Sequence, residues 1–271
     1  MSIAESGEGG TLRGVIRTVG LSGLGLMAII VALGDVIARA PTGAVSGAPL
    51  LPPGARFAFG TDNIGRDMFS ETVHGLAITL TDAALATVIV IAVGAVAGFA
   101  AVRAPARLGP LLRGVTGVLG AVPVLLLAVV LVAIFGHGFA IVAAGLAASP
   151  PAFIRSYDGA AHFANSRHAE FARATGIPAS TLLRRDLVYE IRGNFISVAA
   201  RALASVVIAL STMSFLGFGT LPPHRDLGLI IAAARPYYLD AGWVALFPAL
   251  ALALLVLFAR LAAALEEGEP P

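Results

Sequence analysis

Apolar residues along this chain gather into long runs, and polar segments interrupt them at only a few places. A helix needs about 20 mostly apolar residues to cross a bilayer. Six stretches meet or approach that length: Thr18–Ala38, Leu76–Val102, Val115–Phe135, Phe139–Ile154, Phe195–Phe215 and Trp243–Leu265. The first carries Asp35 near its end, and the second carries Asp82. The fourth is short, and Pro150-Pro151 disfavour a regular helix near its end. The pattern predicts an all-α membrane protein with six transmembrane helices. Three polar segments remain. Pro41–Val73 is rich in Pro and Gly, as an irregular loop is. Gly217–Gly242 contains Pro222-Pro223 and Tyr237-Tyr238, and Arg155–Gly193 is rich in arginine. The organisation expected is an N-terminal region, 1–75, with the first span and a loop. A core, 76–265, follows with an inserted loop at about 155–193, and a short tail, 266–271, ends the chain.

Composition sharpens this picture. Hydrophobic residues make up 58% of the chain and charged residues 13%, against roughly 25% charged in a soluble domain. There is no cysteine, which excludes disulfides, thiolate metal sites and cysteine nucleophiles. Every basic side chain other than histidine is arginine, and the net charge of +2 is dispersed among apolar segments. That is not the concentrated basic face of a nucleic-acid binder. Arg13 and Arg17 precede the first apolar run as in a signal peptide. The run continues to Leu33, however, and an uncleaved first span is expected.

Arginine placement orients the spans. With the N-terminus inside, the inside segments hold most arginines, from Arg13 and Arg17 through Arg103, Arg107 and Arg113 to the run between Arg155 and Arg192. The outside segments hold Arg39, Arg56, Arg66, Arg225 and Arg235. This satisfies the positive-inside rule. Removing the fourth span would place Arg167–Arg192 outside. Six spans with both termini cytoplasmic is the topology expected.

The inside loop holds the chain's most informative segment, His168-Ala169-Glu170-Phe171-Ala172-Arg173-Ala174-Thr175-Gly176-Ile177-Pro178. Glu170, Ala174 and Ile177 recur at helical spacing. Ala172 and Ala174 let a partner surface approach closely. Gly176 can take the positive φ that ends a helix, and Pro178 suits the first turn of the next. The spacing predicts a helix–turn–helix finger on the membrane surface. An amphipathic helix resting on lipid headgroups is the alternative.

Glu170-Phe171-Ala172 followed by Gly176 resembles the EAA loop of ABC importer permeases. Three further blocks resemble one branch of them. These are Gly60-Thr61-Asp62-Asn63-Ile64-Gly65-Arg66-Asp67-Met68-Phe69-Ser70, Ser214-Phe215-Leu216-Gly217-Phe218-Gly219 with Pro222-Pro223 and Leu227-Gly228, and Trp243 with Phe247-Pro248. The branch is the dipeptide/oligopeptide/nickel permeases, specifically the second of their two paired membrane subunits. The resemblance runs from about Phe59 to about Leu261. Phe171 replaces the first Ala of the motif. Asp186-Leu187-Val188-Tyr189-Glu190 replaces the usual His-x-Leu-Pro-Asn end, and the stretch Arg260–Leu265 lacks the family's usual ending.

The resemblance implies a type-1 ABC importer permease fold in the bacterial cytoplasmic (inner) membrane. It implies a homologous permease subunit as partner, two cytoplasmic ATPases and an extracytoplasmic substrate-binding protein. This chain would bind no cofactor and catalyse nothing, because ATP is hydrolysed on the partners. Glu170, Phe171, Ala172, Arg173 and Gly176 would form the ATPase-coupling loop. Gly60, Thr61, Asp62, Gly65, Arg66 and Asp67 would form an extracytoplasmic motif. Peptides are the first cargo expected, and nickel or another metal chelate the second.

Asp82 is the remaining candidate. A carboxylate inside a membrane is costly and suggests function; it would line a cavity and attract cationic cargo, or sit solvated near the membrane face. Arg66 and Asp67 are expected to form an ion pair of small energetic weight. His162 and His168 do not share a helix face, and no metal site is expected. Gly20-Leu21-Ser22-Gly23 reads as a helix-packing site, not a nucleophile, because no histidine lies in a confidently assigned span to act as base. The rival to an ATP-driven importer is a stand-alone secondary transporter with Asp82 as its coupling carboxylate. Such proteins commonly show paired repeats with broken helices, and no such pair is visible.

Overall fold

The apolar runs become helix, and glycine or proline decides where several of them bend or end. The computed structural model describes residues 4–105, 107–167, 170, 174–175 and 179–263. Helix α1 is Ala4–Ala32, and the single turn α2 is Gly34–Ile37. Helix α3, Met68–Ile89, continues through a π-helical turn, Val90–Val96, into α4, Ala97–Ala101. Then come α5 (Leu108–Ala121), α6 (Val124–Phe135), α7 (Ala140–Ala147) and α8 (Pro150–Ala164). The last three are α9 (Ala179–Leu216), α10 (Leu227–Ala233) and α11 (Trp243–Ala262). Among the described residues the only β pairing is two isolated bridges, Val45 to Arg66 and Thr61 to Asp67.

Five helical stretches among the described residues are long and apolar enough to cross a bilayer: Gly14–Ala32, Met68–Ala101, His137–His162, Ile196–Leu216 and Trp243–Ala262. Helices α5 and α6 supply a sixth if the pair counts as one span. The fold is therefore an all-helical membrane architecture, with boundaries that differ from the sequence pattern in instructive ways. The first long helix stops at Ala32, leaving Asp35 in α2. The second begins at Met68 rather than Leu76, because the Asp67 side chain accepts the Ser70 N–H and caps it. The expected third span, Val115–Phe135, is two helices bent by 95°. Pro123 offers no N–H and pushes Val122 to an extended φ of −77° and ψ of 130°. In the fourth span Pro150-Pro151 open α8 instead of closing a helix. A first helical turn has no use for the missing N–H, so the stretch runs on to His162.

Small residues set the packing. The central cluster includes Met27, Leu76, Ala83, Ala86, Val90, Ala144, Val206, Val207, Leu210, Leu227 and Leu255, drawn from α1, α3, the π turn, α7, α9, α10 and α11. The π turn is pressed against the start of α8. A Cβ at Gly94 would lie 2.7 Å from the Ser149 carbonyl oxygen and 2.8 Å from Ala152 Cβ. π-helical turns such as this one usually arise as a local widening inside an α-helix. Helix α1 meets α11 through Gly20, whose added Cβ would strike the Ala262 backbone, and Gly23, whose added Cβ would strike the Phe258 ring. Ser22 between them spends its hydroxyl on the Thr18 carbonyl at 2.5 Å. The segment is a packing surface.

That contact yields a test. Gly20→Val should weaken the α1–α11 contact by about 1–3 kcal/mol through overpacking, lowering the melting temperature of the detergent-solubilised protein. Gly25→Val, with nothing within 4 Å of its Cβ position, should leave the melting temperature near that of the parent.

Candidate functional site

The three sequence blocks that flank the spans converge at one end of the helix bundle. The loop before α3 is held by its own buried polar residues. Thr61 is fully buried; its hydroxyl donates to the Ala48 carbonyl at 2.7 Å and accepts the Leu51 N–H at 2.8 Å. Asp62 Oδ1 accepts the N–H groups of Ile64 and Arg66 at 3.0 and 2.9 Å, and its Oδ2 accepts Arg66 Nε at 2.5 Å. Arg66 thus pairs with Asp62. The expected pairing with Asp67 does not form, because Asp67 is turned into α3, where Oδ2 takes the Ser70 hydroxyl at 2.6 Å. Gly60 and Gly65 have φ of +73° and +87°. A Cβ on Gly60 would lie 2.6 Å from both the Leu51 carbonyl and Trp243 Nε1, so both the backbone conformation and the space require glycine.

The third block closes on the first. Trp243 Nε1 donates to the Thr61 carbonyl at 3.3 Å, and Phe247 stacks on Phe59 at 4.0 Å. The second block reaches α3. Gly217, at φ +89°, ends α9, with the Phe218 N–H returning to the Met213 carbonyl at 2.8 Å. The chain then turns back, and α10 is buried through Leu227, Gly228 and Ile230. The Leu227 N–H donates to Thr79 Oγ1 at 3.0 Å. Arg225 pairs with Glu71 at 2.6 Å; both side chains are almost fully buried, and Glu71 Oε1 also accepts the Gly43 N–H at 2.7 Å.

Asp82 lies in the wall of a cleft of ≈ 510 Å³ at the same end. The cleft is formed by Ala77, Ile78, Thr81 and Asp82 of α3, the His137-Gly138 turn, Ala140 and Ile141 of α7, Leu210 of α9, and Gly219, Thr220, Leu221 and His224 of the loop beyond it. The uncharged stretch from Ala83 to Ala101, at 1.5 Å per residue, is by itself about long enough for the ~30 Å hydrocarbon layer. Asp82 therefore belongs at the edge of that layer. Thr220 is its hydrogen-bond partner, and His224 is close enough to act on its charge.

Behind the cleft, Asp226 caps α10. Its Oδ1 accepts the Leu229 N–H at 2.8 Å, and the Ser214 hydroxyl also bonds to it. Burial pushes its pKa up to about 6, opposed by those two hydrogen bonds and reinforced by the Asp82 charge. His137, Thr220, His224, Asp226 and the Glu71–Arg225 pair were not singled out from sequence. The available signal was the position of Arg225-Asp226 directly before Leu227-Gly228. Of the coupling segment, Glu170 is exposed and helical, its N–H donating to the Ser166 carbonyl at 3.1 Å. Phe171, Ala172, Arg173 and Gly176 lie outside the described residues.

Two outcomes follow. Asp62→Ala removes the acceptor of two backbone N–H groups and leaves the Arg66 guanidinium buried without its partner. Breaking such a pair costs about 3–5 kcal/mol, and added protease should cut the 38–67 loop much faster than in the parent. Asp226 has its folded pKa raised to about 6 from 3.8. Its stabilising contribution is fully present below pH 3.8 and lost as pH rises through 6, a swing of roughly 3 kcal/mol. Asp226→Asn keeps the cap and should flatten the dependence of melting temperature between pH 4 and 7.

Comparison with known proteins places the chain. The family model described as the inner membrane component of binding-protein-dependent transport systems matches residues 90–267. A putative peptide transport system permease protein of Brucella suis is 32% identical over 205 residues, covering 75% of this chain and 69% of that one. A di/tripeptide transport system permease protein of Pseudomonas aeruginosa is 33% identical over 205 residues, covering 75% and 68%. A glutathione transport system permease protein of Escherichia coli is 32% identical over 207 residues, covering 76% and 68%. Together with the membrane-spanning helices and the three converging blocks, these matches show that the chain belongs to the family of inner membrane components of binding-protein-dependent transport systems.

Proposed function

We propose that this chain is one of two permease subunits of an ATP-driven importer that carries peptides across the bacterial cytoplasmic membrane. The observation that carries this reading is similarity over three quarters of the chain to permeases named for peptides and for glutathione, itself a tripeptide. Both termini are cytoplasmic in this reading, in keeping with the arginine distribution. The end bearing the 38–67 loop then faces outside, where a substrate-binding protein docks and releases cargo toward the cleft.

The segment at about 155–193 faces the cytoplasm and meets an ATPase. Glu170, Phe171, Ala172, Arg173 and Gly176 are its contact residues, and the small side chains permit close approach. A second ATPase meets the homologous permease subunit. ATP binds those partners, and their closure pushes on the loop. Packed helices carry the displacement to the cleft, because close-packed interiors transmit strain rather than absorb it. The cavity between the two permease subunits thereby alternates between inward-facing and outward-facing forms. Asp82 serves cargo in this scheme, and the Gly60–Asp67 motif holds the outer surface in shape.

The tagged chain, purified from its native membrane, should carry a homologous permease and ATPase subunits with it. Proteoliposomes of that complex, given the binding protein and ATP, should accumulate a radiolabelled tripeptide. A chain that purifies alone, or uptake that ignores ATP, would overturn the reading.

A further inference from the structure

The cleft beside Asp82 has a composition that selects for charge. One carboxylate stands in its wall among the hydroxyls of Thr81 and Thr220 and the imidazoles of His137 and His224, and no arginine among the described residues lines it. Three other carboxylates at this end have partners of their own. Glu71 holds Arg225 and the Gly43 N–H. Asp62 holds Arg66. Asp226 is occupied by the Leu229 N–H and Ser214. Asp82 is half-buried, takes a hydrogen bond from Thr220, and is acted on by His224. Asp226 is near enough to feel its charge, so the two carboxylates reinforce one another's negative potential at this wall. The remaining lining is largely aliphatic, from Ile78, Leu210 and Leu221. A volume of ≈ 510 Å³ falls in the roughly 300–1,000 Å³ range of small-molecule sites.

Resting on the peptide-import reading above, the geometry points to this cleft as a site for the primary ammonium of the cargo, the free amino end of a peptide. Asp82 is its counter-charge and Thr220 its second acceptor. An ammonium carries three donors, and the Asp82 carboxylate and the Thr220 hydroxyl in the cleft wall offer acceptors for them. The aliphatic wall takes the first side chains of the peptide. A peptide blocked at its amino end offers neither the charge nor the donors, and the buried-edge carboxylate would then be left without a compensating cation.

The absence of native cysteine makes a direct test available. Leu221→Cys puts a single thiol of this chain at an exposed, apolar point of the cleft wall. In membrane vesicles holding the complete transporter, a cationic methanethiosulfonate should label it about tenfold faster than an anionic one of similar size. Trialanine should slow the labelling, and N-acetyl-trialanine should not. Asp82→Asn in the same background should abolish both preferences, and Asp82→Glu should keep them. Equal labelling by the two reagents, equal protection by the two peptides, or preferences that persist in Asp82→Asn would each overturn the assignment. If Asp82→Asn does not assemble, the reagent and peptide comparisons with Asp82 and Asp82→Glu decide it. ATP-driven uptake of unlabelled-thiol vesicles is a separate arm. No uptake of trialanine overturns the peptide reading, whereas uptake without amino-end protection overturns the cleft assignment alone.

Discussion

Arg225 reaches 154 positions back along the chain to Glu71, and the loop-bearing end of the protein is organised around that buried pair. Glu71 belongs to the first turn of α3, Arg225 to the segment that leads into α10, and the Gly43 N–H on the other carboxylate oxygen to the loop before α3. One carboxylate therefore joins three parts of the chain. Burial lowers the Arg225 pKa from its ordinary value, and Arg66 lowers it further, with Glu71 acting in opposition. A guanidinium retains its charge under such pressure. Losing either member would leave a charge buried alone, which is far more costly than an exposed pair is worth.

Around that pair the remaining contacts fall into place through hydrogen bonds between backbone and short side chains. Thr61, Asp62, Asp67, Ser70 and Thr79 are all buried and hydrogen-bonded: Thr61, Ser70 and Thr79 reach other segments, Asp62 and Asp67 bond within their own, and Asp67 Oδ1 is left without a partner. Arg39 and Ala40 donate their N–H groups to Ser70 Oγ at 3.0 and 3.2 Å, fastening the chain just after α2 to the start of α3. Buried polar groups satisfied in this way specify one arrangement, because any other would strand a donor or acceptor away from water. The result is one arrangement of the 38–67 loop against α3 and α11, at the same end as a cleft walled by α3, α7, α9 and the loop after α9.

The interior of the bundle follows a different rule. Apolar surface alone does not drive helices together in lipid, so close contact depends on shape and small residues. Gly20 and Gly23 admit α11, Gly94 and Gly98 admit α8, and Gly228 admits the backbone of α9 at Ser211. The π turn at Val90–Val96 adjoins one of these contacts.

The sequence by itself determined the class of molecule and much of its plan. The length of the apolar runs dictates helices that cross a bilayer, since a backbone in lipid must satisfy its own hydrogen bonds. The ordered blocks from Gly60 to Phe247 pointed to the family that the comparisons show. Tertiary structure alone decided the rest. Whether Pro150-Pro151 close one helix or open another depends on what packs beside them, and a local pattern carries no such information. The burial of α10 depends on Thr79 and Ser211, far away in the chain. Arg66 chose Asp62 over its neighbour Asp67 because the latter was needed to cap α3. His137, Thr220 and His224 come to line one cleft with Asp82 only when the turn before α7 and the loop after α9 meet α3, and long-range proximity of that kind leaves no periodicity in the sequence to read.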